Sequence, residues 1–311
     1  MLVNERIAGM FSVAAGVSVF SFHDAIVKGL SGVYPFHQIV FIRSVVALPV
    51  LLLIALAEGR GHLTLHRPRL HLLRGIVMYV AFTAYYLGLA RLQMAETVAL
   101  TFSAPLFIAA LSVPVLGERV ERRSWAAIGV GFLGVLILVR PGTGLADIAA
   151  AFPVMAALAY ALSALFARRL GTTESGGAMA LSATVVYILA SGIMGLSLAG
   201  FEPPPGAHVS VRFLLNPWAW PSAADLGRMA GCGVLAALGF FFLGQGYRLA
   251  QASLVAPFEY VALPWSALWG YLFFGALPDA TMIIGAAIVV GSGLYTLQRA
   301  GVRKVSGASV S

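Results

Sequence analysis

Residues 90–107 read ARLQMAETVALTFSAPLF and residues 247–265 read YRLAQASLVAPFEYVALPW. Each stretch straddles the join between two apolar runs. Arg91-Leu92 corresponds to Arg248-Leu249 and Pro105 to Pro264. Downstream, Gly117 corresponds to Gly275 and Gly134 to Gly291. The offset drifts only between 157 and 159 residues, so the chain reads as two related halves. The second stretch carries a carboxylate, Glu259, inside an apolar run that extends from 252 to 273.

The surrounding composition sets the solvent. The chain has 311 residues, 60% of them hydrophobic and only 10% charged. Its mean hydropathy is +0.91. Soluble domains carry about 25% charged residues, so this chain is integral to a membrane and all-α. Crossing a hydrocarbon core takes about 20 apolar residues in a helix. Ten runs qualify: 7–28, 35–57, 71–90, 94–116, 124–139, 147–167, 177–199, 227–247, 252–274 and 281–298. They are too long for barrel strands and lack period-two alternation. The first run, about 20 residues, reads as a span and not a cleaved leader.

Lys and Arg set the orientation. With the N-terminus in the cytoplasm, 14 of the 20 fall on inner segments, 5 on outer ones, and Arg43 within a span. Both termini are therefore expected in the cytoplasm of a bacterial inner membrane. The proline-rich 200–226 loop then faces outward. The net charge of +8 does not point to nucleic acid, because the basic residues punctuate apolar segments. The expected units are residues 1–141, residues 142–299 and a short basic tail, 300–311. Five spans per half make the second unit enter the membrane from the opposite side. Inverted repeats of this kind build alternating-access transporters, with the site near the midplane.

SAPLFIAALSVPV followed by LGERVERRSWAAIGVGFLGVLILV resembles the drug/metabolite transporter superfamily, in particular its ten-helix EamA-type members. The residues that carry the resemblance are Pro105, Gly117-Glu118, and Gly129, Gly131 and Gly134. The second half departs from the pattern, with Ala276 where a glutamate would match Glu118. Within that superfamily the chain is most similar to bacterial exporters of aromatic amino acids. The resemblance implies a central cavity among spans 1–4 and 6–9, with spans 5 and 10 outside it. It also implies outward movement of an aromatic or apolar amino acid. Ala127/Gly131 and Ala287/Gly291 allow close packing of the outer spans. A monomer is expected, with a dimer through spans 5 and 10 as the alternative.

Charges inside spans need protein or water around them. His23, Asp24 and Arg43 lie roughly 6–12 Å below the outer surface at 1.5 Å per residue. Asp24–Arg43 reads as a structural ion pair, with His23 as an alternative partner, or as a gate with Arg43 holding a substrate carboxylate. Glu259 lies about 10 Å from the inner surface by the same measure. It either pairs with Arg248 or Gln245, or faces the cavity between Pro257 and Pro264, where it binds an ammonium or carries a proton. Pro105, Pro257 and Pro264 are expected to kink their helices.

Tyr79, Phe82, Thr83 and Tyr86 share one face of the third span. With Thr101, Tyr160, Phe240, Phe241 and Tyr260, they read either as core or as the lining of a pocket for a flat, amphipathic solute. Tyrosine hydroxyls deep in a span favour the pocket. GVGFLG at 129–134 lies inside a span with no strand before it, so it is no dinucleotide motif. His62, His66 and His71 cluster beside Arg67 and Arg69 and read as a contact for anionic lipid headgroups, with metal binding as the lesser alternative. No cofactor and no metal site is expected, and no reactive cluster for an enzyme is visible. The candidate functions are therefore an amino-acid exporter, a broader drug/metabolite exporter or permease, or a membrane scaffold.

Overall fold

The computed structural model describes residues 3–58, 66–117, 122–140, 147–170, 176–250 and 255–307. Glu118, His62, the 141–142 junction and residues 308–311 of the tail lie outside them. Every regular element among the described residues is helical. In chain order these are α1 (Val3–Leu30), α2 (Phe36–Glu58), α3 (Pro68–Leu89), α4 (Met94–Thr101), α5 (Ala104–Leu116) and α6 (Arg122–Val139). The second half supplies α7 (Ala151–Leu170), α8 (Gly176–Ser197), α9 (Val209–Leu215), α10 (Ala223–Leu249), α11 (Ala262–Phe274) and α12 (Ala280–Gly307).

Among the described residues, seven stretches are long and apolar enough to cross a membrane, and Trp125–Val139 and Ala280–Tyr295 are shorter apolar helices. Large aliphatic side chains cover the outside, among them Leu53, Leu133, Ile193 and Leu196. That surface suits hydrocarbon and no other solvent. The last helix continues to Gly307.

Lipid tails are as apolar as leucine, so helices associate here through close packing. α1 lies antiparallel on α10, and glycines set the approach. A Cβ on Gly246 would stand 2.4 Å from Val13 Cγ2 and 2.9 Å from the Gly9 carbonyl oxygen. One heptad away, a Cβ on Gly16 would stand 3.1 Å from the Gly239 carbonyl oxygen. α3 packs on α7, α2 on α8 and α6 on α12. Exchanging the two halves converts the α1–α10 pair into α7–α3 and returns α2–α8 and α6–α12 to themselves. Between α6 and α12 the tight contact falls at Gly134 and Gly285, and Ser292 Oγ donates to the Ala127 carbonyl at 2.5 Å. A Cβ on Gly291 would meet nothing within 4 Å, so Gly291 is not part of that contact. Arg140 closes the far ends of this pair with both oxygens of Asp279 at 2.6 Å. That hydrogen-bonded guanidinium holds the Asp279 carboxyl below the usual carboxylate range.

The fourth run is not one helix. It breaks between Thr101 and Ala104, because Pro105 has no N–H to donate and its ring cannot sit over the Thr101 carbonyl. The ninth run is broken as well. Ala256–Val261 forms a 3₁₀ turn and the α-helix starts only at Ala262. Pro257 opens that turn, and Pro264 removes the bond that would have reached Tyr260. Six residues is long for 3₁₀ geometry, which usually marks a functional site or strain. α5 and α11 end alike, on Gly117 and Gly275 with φ of 70° and 65°. Only glycine adopts that left-handed conformation at no steric cost.

α9 was not expected inside the 200–226 loop. It drives Phe213 into the core against Phe36 (ring centroids 6.0 Å apart) and its Ser210 Oγ donates to the Leu87 carbonyl at 2.7 Å. The loop's Trp218 donates from Nε1 to His37 Nδ1 at 2.6 Å, whereas Trp220 is 98% exposed.

Overpacking a tight contact costs about 1–3 kcal/mol. Ala in place of a mid-helix Gly with open space gains roughly 0.5–1 kcal/mol. Gly246→Ala is therefore expected to lower the melting temperature in detergent and Gly291→Ala to hold or raise it. Equal shifts in the two variants would contradict the α1–α10 contact.

Candidate functional site

A cavity of about 910 Å³ lies between the halves. Its walls come from α1 (Asp24), α3 (Phe82, Tyr86), α7 (Tyr160), α10 (Phe240) and the 3₁₀ turn (Glu259). It reaches the helix ends on the side of the two termini, at Ile54, Arg74, Gly177 and Arg248. Beyond Asp24 the opposite side is filled by a buried apolar cluster that includes Val27, Leu30, Phe36, Leu89 and Phe213. The described conformation is thus open on one side only.

Six of the proposed site residues line this space: Asp24, Phe82, Tyr86, Thr101, Tyr160 and Glu259. Phe240 and Phe241 line it too. Tyr79 and Thr83 do not. Tyr79 packs on Phe36 and Tyr187, and its hydroxyl accepts from Ser191 Oγ at 3.2 Å. Thr83 Oγ1 donates to the Tyr79 carbonyl of its own helix at 2.8 Å. Tyr260 turns from the cavity onto Phe102, with ring centroids 4.5 Å apart, and its oxygen lies close to Gly293. The lining face of α3 is rotated from the expected one and runs through Arg74, Met78, Ala81, Phe82, Tyr85 and Tyr86. Tyr85, Tyr187, Arg74 and Tyr247 were missed. Adjacent aromatics at 85 and 86 were the available hint, because one of the two must flank whichever face is lined.

The charged network under the cavity differs from a direct Asp24–Arg43 pair. Arg43 NH1 lies 3.0 Å from His23 Nε2, and His23 Nδ1 lies 3.1 Å from Asp24 Oδ1. An arginine can only donate, so Nε2 accepts and the imidazole proton sits on Nδ1, aimed at Asp24. Tyr86 donates to Asp24 Oδ1 and Tyr85 to Oδ2, both at 2.8 Å. The carboxylate thus accepts from three donors, and a neutral imidazole separates it from the guanidinium. Arg43 is 5% exposed and lies 5.4 and 5.8 Å from the Phe82 and Tyr86 ring centroids. It is shielded from the cavity by those rings and is not among the cavity-lining residues.

Glu259 pairs with neither expected partner. Tyr247 donates to its Oε1, while Arg248 is held on Gln245 Oε1 by Nε at 3.0 Å and NH2 at 2.7 Å. Among the described residues no group of three or more His, Cys, Asp or Glu could hold a metal ion. His62 of the histidine cluster lies outside those residues, and His71 Nδ1 is 2.8 Å from Ser182 Oγ.

Residues 7–140 match the model of the EamA-like transporter family. A riboflavin transporter of Rhizobium johnstonii is 31% identical over 252 residues, covering 81% of this chain and 76% of that protein. The chain belongs to the EamA-like transporter family. Its members similar to this chain also include an S-adenosylmethionine uptake transporter of Rickettsia prowazekii, 24% identical over 89% of this chain and 88% of that one. A pseudopaline exporter of Pseudomonas aeruginosa is 26% identical over 93% and 96% of the two chains. One solved crystal structure superposes with a TM-score of 0.62 over 98% of this chain and 99% of that chain, at 18% identity, which shows the fold alone. The chain is thus a multi-pass membrane transporter of small solutes.

Breaking a buried charge pair by removing one partner costs about 3–5 kcal/mol. Arg43→Met is expected to lower the melting temperature in detergent well beyond a surface change. Asp24→Asn added to it should recover part of the loss, since both charges are then gone. Strictly additive losses would show that the two do not interact.

Proposed function

We propose that this EamA-like transporter moves ring-bearing organic solutes by alternating access, through the cavity between its halves. The observation that carries the reading is the wall itself: Phe82, Tyr86, Tyr160, Tyr187 and Phe240 around about 910 Å³, with few charges. Aromatic walls with a few placed polar groups characterise small-molecule sites of roughly 300–1,000 Å³. Aromatic or apolar amino acids are the smallest solutes that fit the chemistry. The volume also favours a larger flat solute, of which the riboflavin in one relative's name is an example. The relatives' names include both uptake and export.

The proposed frame is ten spans in two inverted units, 1–141 and 142–299, in a bacterial inner membrane. The 14-to-5 split of Lys and Arg supports cytoplasmic termini, and on that reading the cavity opens inward. A monomer carries a complete cavity, and a dimer through α6 and α12 is the alternative assembly. Asp24, His23 and Arg43 form the outer floor of the site.

The test is uptake of labelled phenylalanine, tryptophan and riboflavin into proteoliposomes, with and without a pH gradient. Saturable uptake of at least one, competed by the others, is expected. Failure of all three would overturn the ring-bearing reading.

Glu259 is the proposed proton carrier. Asp24 already accepts from three donors, so a proton added there would face a donor whichever oxygen it took. Glu259 has one donor, Tyr247, and no cation bonded to it among the described residues. Glu259→Gln is expected to keep solute exchange and lose its dependence on the pH gradient. Unchanged gradient dependence in that variant would sink the assignment.

A further inference from the structure

We propose that Arg74 is the anion anchor of the cavity, and that the solute carries a carboxylate seated on it. This rests on the reading of the cavity as a solute site. Three arginines surround the space. Arg43 lies behind the Phe82 and Tyr86 rings and is held by His23. Arg248 lines the mouth, but Gln245 Oε1 takes its Nε and one terminal nitrogen. Arg74 lines the same mouth, and among the described residues its only hydrogen bond is a long one, NH1 to the Met179 carbonyl at 3.2 Å.

A guanidinium offers five N–H donors in a rigid fork. In Arg74 the Nε is sealed from solvent with no hydrogen-bond partner. Among the described residues no carboxylate lies within ion-pair distance of it. The Nε is out of reach of the cavity, but among the described residues NH2 is neither sealed nor bonded, which leaves the terminal edge open to a group supplied from outside the chain. A planar carboxylate matches that edge, with one oxygen on NH2 and the other on NH1.

Electrostatics orient the solute the same way. Asp24 at the far end repels an anion, which favours the Arg74 side as its seat. The solute's ring then extends inward along Tyr160 and Tyr187 towards Phe82. A phosphate would call on several cations, and Arg43 and Arg248 are already engaged.

The experiment is equilibrium binding of indole-3-propionate and indole-3-propionamide to the purified full chain in detergent. The two probes share ring and length and differ in charge. The native protein should bind the acid at least tenfold more tightly than the amide. In Arg74→Gln the acid should fall to the amide's affinity while the amide's stays within about twofold; Arg74→Lys, which keeps the charge but not the fork, should lie between. Equal binding of acid and amide by the native protein, or a preference that survives Arg74→Gln, would overturn the anchor and leave the ring site standing. Loss of the preference in Arg248→Gln instead would move the anchor and overturn the assignment. Failure of both probes to bind would overturn the ring site and the anchor together. Should Arg74→Gln not fold, the native comparison and Arg74→Lys still decide.

Discussion

In hydrocarbon every backbone N–H and carbonyl must find a partner within the protein, because an unpaired group costs several kcal/mol. That constraint makes the described elements of this chain helical and determines where a helix is allowed to break. The two interruptions, at 102–103 and at 256–261, fall where α7, α1 and α4 cover the backbone. Both follow from proline. The second interruption holds Glu259 and Tyr260, so the loosened backbone and the carboxylate share one place. A charge can sit in an apolar run there because it faces the cavity and Tyr247 instead of lipid.

Much of the fold was legible in the sequence because apolar run length and proline position are one-dimensional signals. The runs at 35–57, 71–90 and 177–199 became helices with nearly those bounds. The paired glycines at 117 and 275 became matching left-handed helix ends. The small-residue reading was less exact. Ala127 and Gly131 do lie at the contact, against Ser292, and Gly134 and Gly285 add to it, but Gly291 shares the spacing of a packing motif and faces open space. Spacing identifies a face without saying which neighbour it meets. α9 was invisible for a different reason: seven residues of VSVRFLL between prolines carry too few turns to show a period. Its burial depends on Phe36 and Leu87, which are distant in sequence.

The site was legible in kind and not in detail. Depth along a helix can be counted at 1.5 Å per residue, but rotation about the axis cannot. Tyr79, Phe82, Thr83 and Tyr86 defined a plausible face of α3, and Phe82 and Tyr86 do line the cavity, but the rest of the lining runs through 78, 81 and 85 in place of 79 and 83. The same limit misplaced the charges. Arg43 and Asp24 belong to one network, but His23 stands between them and holds the imidazole tautomer that joins them. Arg74 looked like one more basic residue at a span end. Only the cavity reveals that it lines the mouth, with a sealed nitrogen that has no partner.

These features place opposite charges at opposite ends of an aromatic chamber, with Asp24 at the closed end and Arg74 at the open end. The central claim is that this chamber is the path a solute takes. The chain's single cysteine, Cys232, is buried, so a cysteine introduced into the cavity can be followed without interference. The most direct measurement is the rate at which Ala180→Cys, on the α8 wall, reacts with a membrane-impermeant maleimide from the terminus side. The account predicts labelling that a transported ring-bearing solute slows in a saturable way. Labelling at an unchanged rate under saturating solute would contradict it.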